Sequence, residues 1–297
     1  MKKSQLSFTG LNKIPVFFCK EMQANSGGFS PSASKPAKAL ASWLTLPVAI
    51  EVIKPEPVTE LDLARAHDPD FVKGVLSCEL PNGFRNHDTS VAKSLPWTSG
   101  AMLSAAMEAI TNRQVAVAPV SGFHHAAYRR NGGFCTFNGL MITAQALFSR
   151  GLASRVGILD FDQHWGDGTQ DIIDQLKLEK EVIHYSPSED FSEVSKAQAF
   201  LTAIPQIVAR FTTCDVILYQ AGADPHIDDP LGGWLTTDEL EQRDHLVFTS
   251  TKALGIPLAW NLAGGYQTPI RHVLDIHDNT MRACQAVYVG AWKVMNR

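Results

Sequence analysis

Two aspartates and a histidine at alternate positions, Asp160, Asp162 and His164, close the apolar run Val156–Leu159. In an extended segment successive side chains point to opposite faces, so this spacing sets all three on one face. Two carboxylates and an imidazole converging on one point make a donor set for a divalent cation, and zinc suits such mixed oxygen and nitrogen ligands. Gly166 and Gly168 follow and allow the backbone a sharp turn. Taken alone, the pattern better fits a polar strand end running into an Asp-Gly turn.

The elements that would position these residues alternate along the chain. Residues 38–46 predict a helix, and 60–76 a helix interrupted at Pro69. Residues 25–36 and 81–96 are rich in turn formers or polar and predict loops. A helix is expected over 99–112. Strands are expected at 115–120, 155–159, 182–184, 215–219 and 257–262, with helices at 140–149, 169–176, 195–211 and 237–254 between and after them. Nearly continuous apolar strands alternating with helices predict an α/β fold, a single open parallel sheet with helices on both faces. No linker calls for a second unit, so residues 1–297 are read as one catalytic domain.

Ligands of open parallel sheets bind beyond the carboxyl ends of the strands. Four of the expected strands end there in small residues followed by chemically capable ones: Ser121-Gly-Phe-His124-His125, then Asp160 to His164, then Gln220-Ala-Gly-Ala-Asp224, then Ala263-Gly-Gly-Tyr266. Each has an ordinary reading as a turn, a cap or a solvated pair. Their coincidence at one end of the sheet outweighs any one of them. Together they offer metal ligands, a base and a hydroxyl donor.

Composition narrows the classes. A hydrophobic content of 45% and a charged content of 19% describe a globular chain with a substantial core. The net charge of -4 argues against a broad nucleic-acid surface, and the pairs Lys2–Lys3 and Arg129–Arg130 are too small to reverse it. No apolar stretch has the length of a membrane span, and the basic start is not followed by the apolar run of a leader peptide. The five cysteines are scattered without a C-x-x-C pair, which fits a reduced, cytoplasmic protein. Cys135 is read as a small packing residue.

On these residues the chain resembles the zinc-dependent histone deacetylase superfamily, which includes bacterial relatives and acetylpolyamine amidohydrolases. The resemblance is carried by Ala66-His-Asp-Pro-Asp-Phe71, Gly122-Phe-His-His-Ala126, Asn131-Gly-Gly-Phe-Cys-Thr-Phe-Asn138, the block 160–169, Gly222-Ala-Asp-Pro-His-Ile-Asp-Asp-Pro-Leu-Gly-Gly233 and Gly264-Gly-Tyr266. It runs from about residue 61 to 266, and the spelling around Pro225 is similar to the short bacterial branch related to class II enzymes. It implies an arginase/deacetylase-like fold and hydrolysis of an acyl amide.

The resemblance also implies roles. Asp162, His164 and Asp224 would hold zinc or ferrous iron, leaving a position for water and substrate. His125 would be the general base, with it or His124 protonating the leaving amine, and Tyr266 would donate to the oxyanion. Asp160 and Asp167 would orient His124 and His125 respectively, the alternative for Asp167 being a plain turn. Asp160 would also help bind a structural potassium ion. Gly133 and Phe134 would form one wall of a channel for an acyl-lysine stem, while Tyr185 to Phe191 departs from the family spelling and leaves the other wall open. Trp165 is expected to pack. Leu231 carries no charge where polyamine-selective relatives place a glutamate, which favours an acylated lysine in a protein or peptide over a small acyl-amine. The remaining alternatives are an acetylpolyamine hydrolase and a silent acyl-lysine binder. A binuclear manganese ureohydrolase fits poorly, because Asp160-Phe-Asp-Gln-His164 lacks its bridging aspartates.

Overall fold

Strand sequences buried on both faces give the sheet its centre. A computed structural model describes residues 11–28 and 30–290, so the Lys2–Lys3 pair and the start of the chain lie outside the described residues. Among the described residues seven strands, β1 (Ile14–Phe17), β2 (Ile50–Ile53), β3 (Val115–Val117), β4 (Val156–Asp160), β5 (Val182–Tyr185), β6 (Val216–Gln220) and β7 (Leu258–Asn261), pair in parallel in the order β2-β1-β3-β7-β6-β4-β5. Alternate side chains feed two cores. Ile217 and Tyr219 enter a cluster with Trp43, Phe200, Phe248 and Trp260, whereas Val216 and Leu218 enter one with Phe71, Met102, Phe137 and Leu140.

Among the described residues nine α-helices cover the two faces: α1 (Lys35–Trp43), α2 (Glu60–Ala64), α3 (Pro69–Leu76), α4 (Thr89–Asn112), α5 (Gly139–Ser149), α6 (Asp167–Leu176), α7 (Ala197–Ala209), α8 (Thr237–Leu254) and α9 (Arg271–Tyr288). Several differ from expectation for local reasons. The predicted loop 81–96 yields to helix at Thr89, where the Asp88 carboxylate accepts the Ser90 N–H at 2.7 Å. Pro96 sits inside that helix. The expected helix over 60–76 is two helices. Pro69 occupies the first turn of the second, where a missing N–H costs nothing, and Asp68 caps it. α1 begins three residues earlier than predicted, with Pro36 in its first turn.

The connection after β4 leads outward to β5, and the connection after β6 leads the opposite way to β7. The crevice between β4 and β6 is therefore a topological switch point. Across the strand ends, the register pairs Asp160 with Gln220 and Gln220 with Asn261, a buried polar row from which the functional loops hang. Gln220 Nε2 donates to Asp160 Oδ1 at 2.8 Å, and its Oε1 accepts the Phe123 N–H at 3.2 Å. From α8 the fully buried Arg243 donates to the carbonyls of Phe161 (3.2 Å) and Gly222 (2.8 Å), fixing both sides of the crevice. Asp244, which also engages Tyr219 and Thr280, partners its Nε at 2.8 Å.

His67 ties the outer loops together. Its Nδ1 lies 2.9 Å from the Ala127 carbonyl and its Nε2 accepts the Asn138 N–H at 2.8 Å, so the neutral ring donates at one nitrogen and accepts at the other. Burial pulls its pKa down to about 4 from 6.5. A depressed histidine favours the fold above its unfolded pKa, and that contribution is lost as pH falls from 6.5 towards 4. We expect acidification through this window to cost about 3 kcal/mol from this residue. Urea midpoints of wild type and His67→Gln measured from pH 7 to 4 check it. Parallel curves would remove His67 as the source.

Candidate active site

The loop after β3 runs beside the loop after β7. Leu262 donates to the Val120 carbonyl at 2.9 Å, and Ser121 bridges Ala263, so His124 and His125 are delivered next to Gly264–Tyr266. The first turn of α6 seats the pair from the other side, with the Thr169 N–H on the His124 carbonyl at 2.9 Å. His124 Nδ1 lies 2.7 Å from Asp160 Oδ2, and His125 Nδ1 lies 2.6 Å from Asp167 Oδ1. The two rings are 4.1 Å apart between centroids.

Asp160, Asp162 and His164 do not converge on one point. β4 ends at Asp160, the chain bends beyond it, and the strand alternation that would have aligned the three is gone. Asp160 turns to His124 and Gln220. Asp162 and His164 instead meet Asp224 across the crevice, with one ligand atom of each within 4.8 Å of the others. His164 Nδ1 stands 3.3 Å from both Asp162 Oδ1 and Asp224 Oδ2. Gly264 completes the pocket floor: its N–H donates to Asp162 Oδ2 at 2.8 Å, and a Cβ there would come within 2.2 Å of Asp224 Oδ2.

The electrostatics of this cluster call for a cation. Burial, with Asp162 alongside, pushes Asp224 up to about 7, and its two buried oxygens have no hydrogen bond of good geometry, the His164 Nδ1 contact at 3.3 Å included. The two carboxylates in turn carry His164 up to about 10. A divalent ion on Asp162, His164 and Asp224 would satisfy these groups together, so the residues fit such an ion. Asp160, expected to help bind a structural potassium ion, already has partners of its own. Its oxygens are engaged by His124, Gln220 and the Asp162 N–H, and His184 Nε2 stands 4.0 Å from Oδ2. Trp165 packs on that histidine, ring centroids 5.0 Å apart.

Around the cluster lies a pocket of about 180 Å³ lined by His124, His125, Phe134, Cys135, Leu231 and Tyr266 among others. Burial draws His124 down, but Asp160 and Asp162 outweigh it and bring it to about 9; burial and the charge of His124 hold His125 below its usual value. Burial, with Asp224 and Asp162 nearby, keeps the Tyr266 phenol protonated far above its ordinary range. Gly133 and Phe134 form one wall, both at positive φ, and a Cβ on Gly133 would strike the His125 ring at 2.2 Å. Leu231, 39% exposed, stands at the lip. Tyr185 and Phe191 are not part of the wall: their rings pack against Phe161 and Phe200.

Two residues at the site were assigned no role from the sequence. Lys35, read as part of a surface segment, is fully buried and donates to the carbonyls of Ala263 (2.5 Å) and Gly264 (3.1 Å). Burial lowers its pKa to about 8 against the opposing pull of Asp224, Asp162 and Asp229. Asp229 lies in the block 222–233 that carries the resemblance, in an Asp-Asp-Pro stretch that is also an ordinary turn. One of its oxygens accepts the Tyr266 N–H at 2.8 Å and the other the Leu231 N–H at 3.0 Å.

Comparison with known proteins matches a family model, the histone deacetylase domain, to residues 32–192 and 179–276. An uncharacterized protein of Picosynechococcus sp. is 28% identical over 80% of this chain and 88% of its own length. Histone deacetylase 2 of Arabidopsis thaliana is 28% identical over 58% of the chain and 50% of its own length. Acetylpolyamine amidohydrolase 2 of Pseudomonas aeruginosa is 31% identical over 48% of each. The chain thus spans about half the length of these last two. Among solved structures, the HD domain of HDA15 superposes with a TM-score of 0.73 at 20% identity, covering 91% of this chain and 90% of that one.

Proposed function

The chain belongs to the histone deacetylase family and to its deacetylase and amidohydrolase chemistry, and from that premise we propose that it removes an acyl group from a lysine side chain by metal-dependent hydrolysis. The observation that carries this reading is the meeting of Asp162, His164 and Asp224 with Tyr266 and the His124–His125 pair around one small pocket. We take the whole chain to act as one catalytic unit.

Asp162, His164 and Asp224 would hold zinc, or ferrous iron, and such an ion supplies Lewis acidity towards an amide carbonyl and a water. The remaining steps belong to the protein. His125, kept low in pKa and oriented by Asp167, takes the proton from water at Nε2. His124, its Nδ1 2.7 Å from Asp160 Oδ2, stands beside it to supply a proton for the departing amine. Tyr266 keeps its proton and donates it as a hydrogen bond to the developing oxyanion. Phe134 flanks the stem of the substrate, and the uncharged Leu231 at the lip favours an acyl-lysine stem over one carrying a second cation.

Asp229 acts through Tyr266. Asp229→Asn keeps one acceptor oxygen and loses the other, so we expect kcat to fall about tenfold, of the order expected for one misdirected donor. KM and metal content should change little. A variant with wild-type kcat would show that the carboxylate does not position the phenol.

The reading is tested by acetate release from an acetyl-lysine peptide and from an acetylpolyamine, each with zinc-supplemented protein. Faster, chelator-sensitive release from the peptide is the expected result. Preference for the polyamine would reassign the substrate to small acyl-amines, and no release from either would overturn the hydrolase reading.

A further inference from the structure

A second cavity, of about 60 Å³, shares Ser32, Gly122 and Phe134 with the wall of the pocket just described. Its bulk comes from Met22, Leu95, Val120, Phe123 and Phe137, all at least nine-tenths buried, and no titratable side chain lines it. Six hydroxyls line it, and four of them are engaged with the backbone. Ser94, Thr98 and Ser121 donate to the carbonyls of Val91 (2.8 Å), Leu95 (3.0 Å) and Ser32 (2.8 Å), and Thr136 Oγ1 accepts the Gly83 N–H at 2.9 Å. A cavity walled this way offers little to water or to a carboxylate. It suits alkyl carbon, as apolar cavities generally do.

Its position matches the acyl side of the substrate. Exposure falls from 39% at Leu231 on the lip to 8% at Ser32 and 5% at Cys135 on the floor. A stem entering past Leu231 and Phe134 therefore directs whatever lies beyond its carbonyl inward, towards Gly122, where the partition carries no side chain. An apolar cavity of about 150 Å³ accepts the six carbons of benzene, so this one accepts about two or three further carbons.

We propose that the chain is selective for acyl groups of about four or five carbons, butyryl rather than acetyl, with the tail beyond the carbonyl lodged between Phe123, Leu95 and Val120. The inference rests on the acyl-amine hydrolase reading above. The reaction stays a hydrolysis. The amide C–N bond breaks, the oxygen of water joins the acyl carbon, the amine takes up a proton, and butyrate and lysine leave.

The test compares acetyl-, butyryl- and octanoyl-lysine versions of one peptide with zinc-supplemented protein. Burying about two more methylenes should raise kcat/KM for butyryl about tenfold over acetyl. Octanoyl, too long for the cavity, should be poor. Butyryl turned over no faster than acetyl would overturn the proposal. If neither is hydrolysed, the hydrolase reading fails, and fluorescence anisotropy of the same two peptides decides this one: about tenfold tighter butyryl binding supports it, equal affinity overturns it. Ser94→Leu should fill the cavity and erase the butyryl advantage while deacetylation stays within about twofold. Leu95→Ala should enlarge it and move the optimum to longer chains, which keeps the test open if the first variant does not fold. An unchanged acyl preference in whichever variant folds would refute the assignment.

Discussion

Tyr266→Phe is expected to fold, keep its metal and lose about a hundred- to a thousandfold in kcat, the range for removing one oxyanion donor. The ring is 9% exposed and packs on Phe134 with centroids 5.6 Å apart, so phenylalanine fits the same space. What disappears is a phenol whose proton is secured by burial and the acidic groups around it. Single-turnover rates with metal content measured in parallel separate the chemistry from the site's integrity. A folded, metal-replete variant with more than about a tenth of wild-type turnover would remove Tyr266 from the mechanism.

The second large effect is on metal affinity. Asp224→Ala should weaken zinc binding by well over a hundredfold, more than losing a partner outside the ligand set typically does. The apo protein should not suffer in proportion. Asp224 is a buried carboxylate without a well-formed hydrogen bond and with Asp162 nearby, so its removal relieves a cost of the ion-free fold. We therefore expect zinc to raise Tm in the wild type through linkage and to leave the variant unmoved, with the apo Tm equal or higher. Equilibrium dialysis beside thermal scans reads both quantities. Full zinc occupancy in the variant would refute the ligand assignment.

The parallel sheet was legible because its central strands are apolar on both faces, and β3 to β7 announce themselves that way. The edge did not. β1 is four residues with a proline, Ile14-Pro-Val-Phe17, and the half-exposed β2, Ile50-Glu-Val-Ile53, has no continuous run. α9 buries His277, Asp278 and Thr280 on its inner face, which blurs the apolar stripe a reader looks for. At the site, residues that follow strands were visible because the fold puts strand ends together. Lys35 was not, since a lysine among serines and prolines reads as solvated. Its burial depends on the Ala263 and Gly264 carbonyls, which reach it only in the folded chain. Even the alternation of Asp160, Asp162 and His164 misled in one respect: the strand stops two residues before Asp162, and the third member of the candidate metal cluster is Asp224 across the crevice.

The single carboxylate that holds Leu231 at the lip and Tyr266 at the reacting centre has a kinetic consequence. A substrate that presses the lip aside should also disturb the backbone that carries the phenol, so a misfitting stem would be penalised after it has bound. Discrimination between stems should then appear in kcat at least as much as in KM. A search for variants with new preferences that screens on affinity alone would miss the ones that matter.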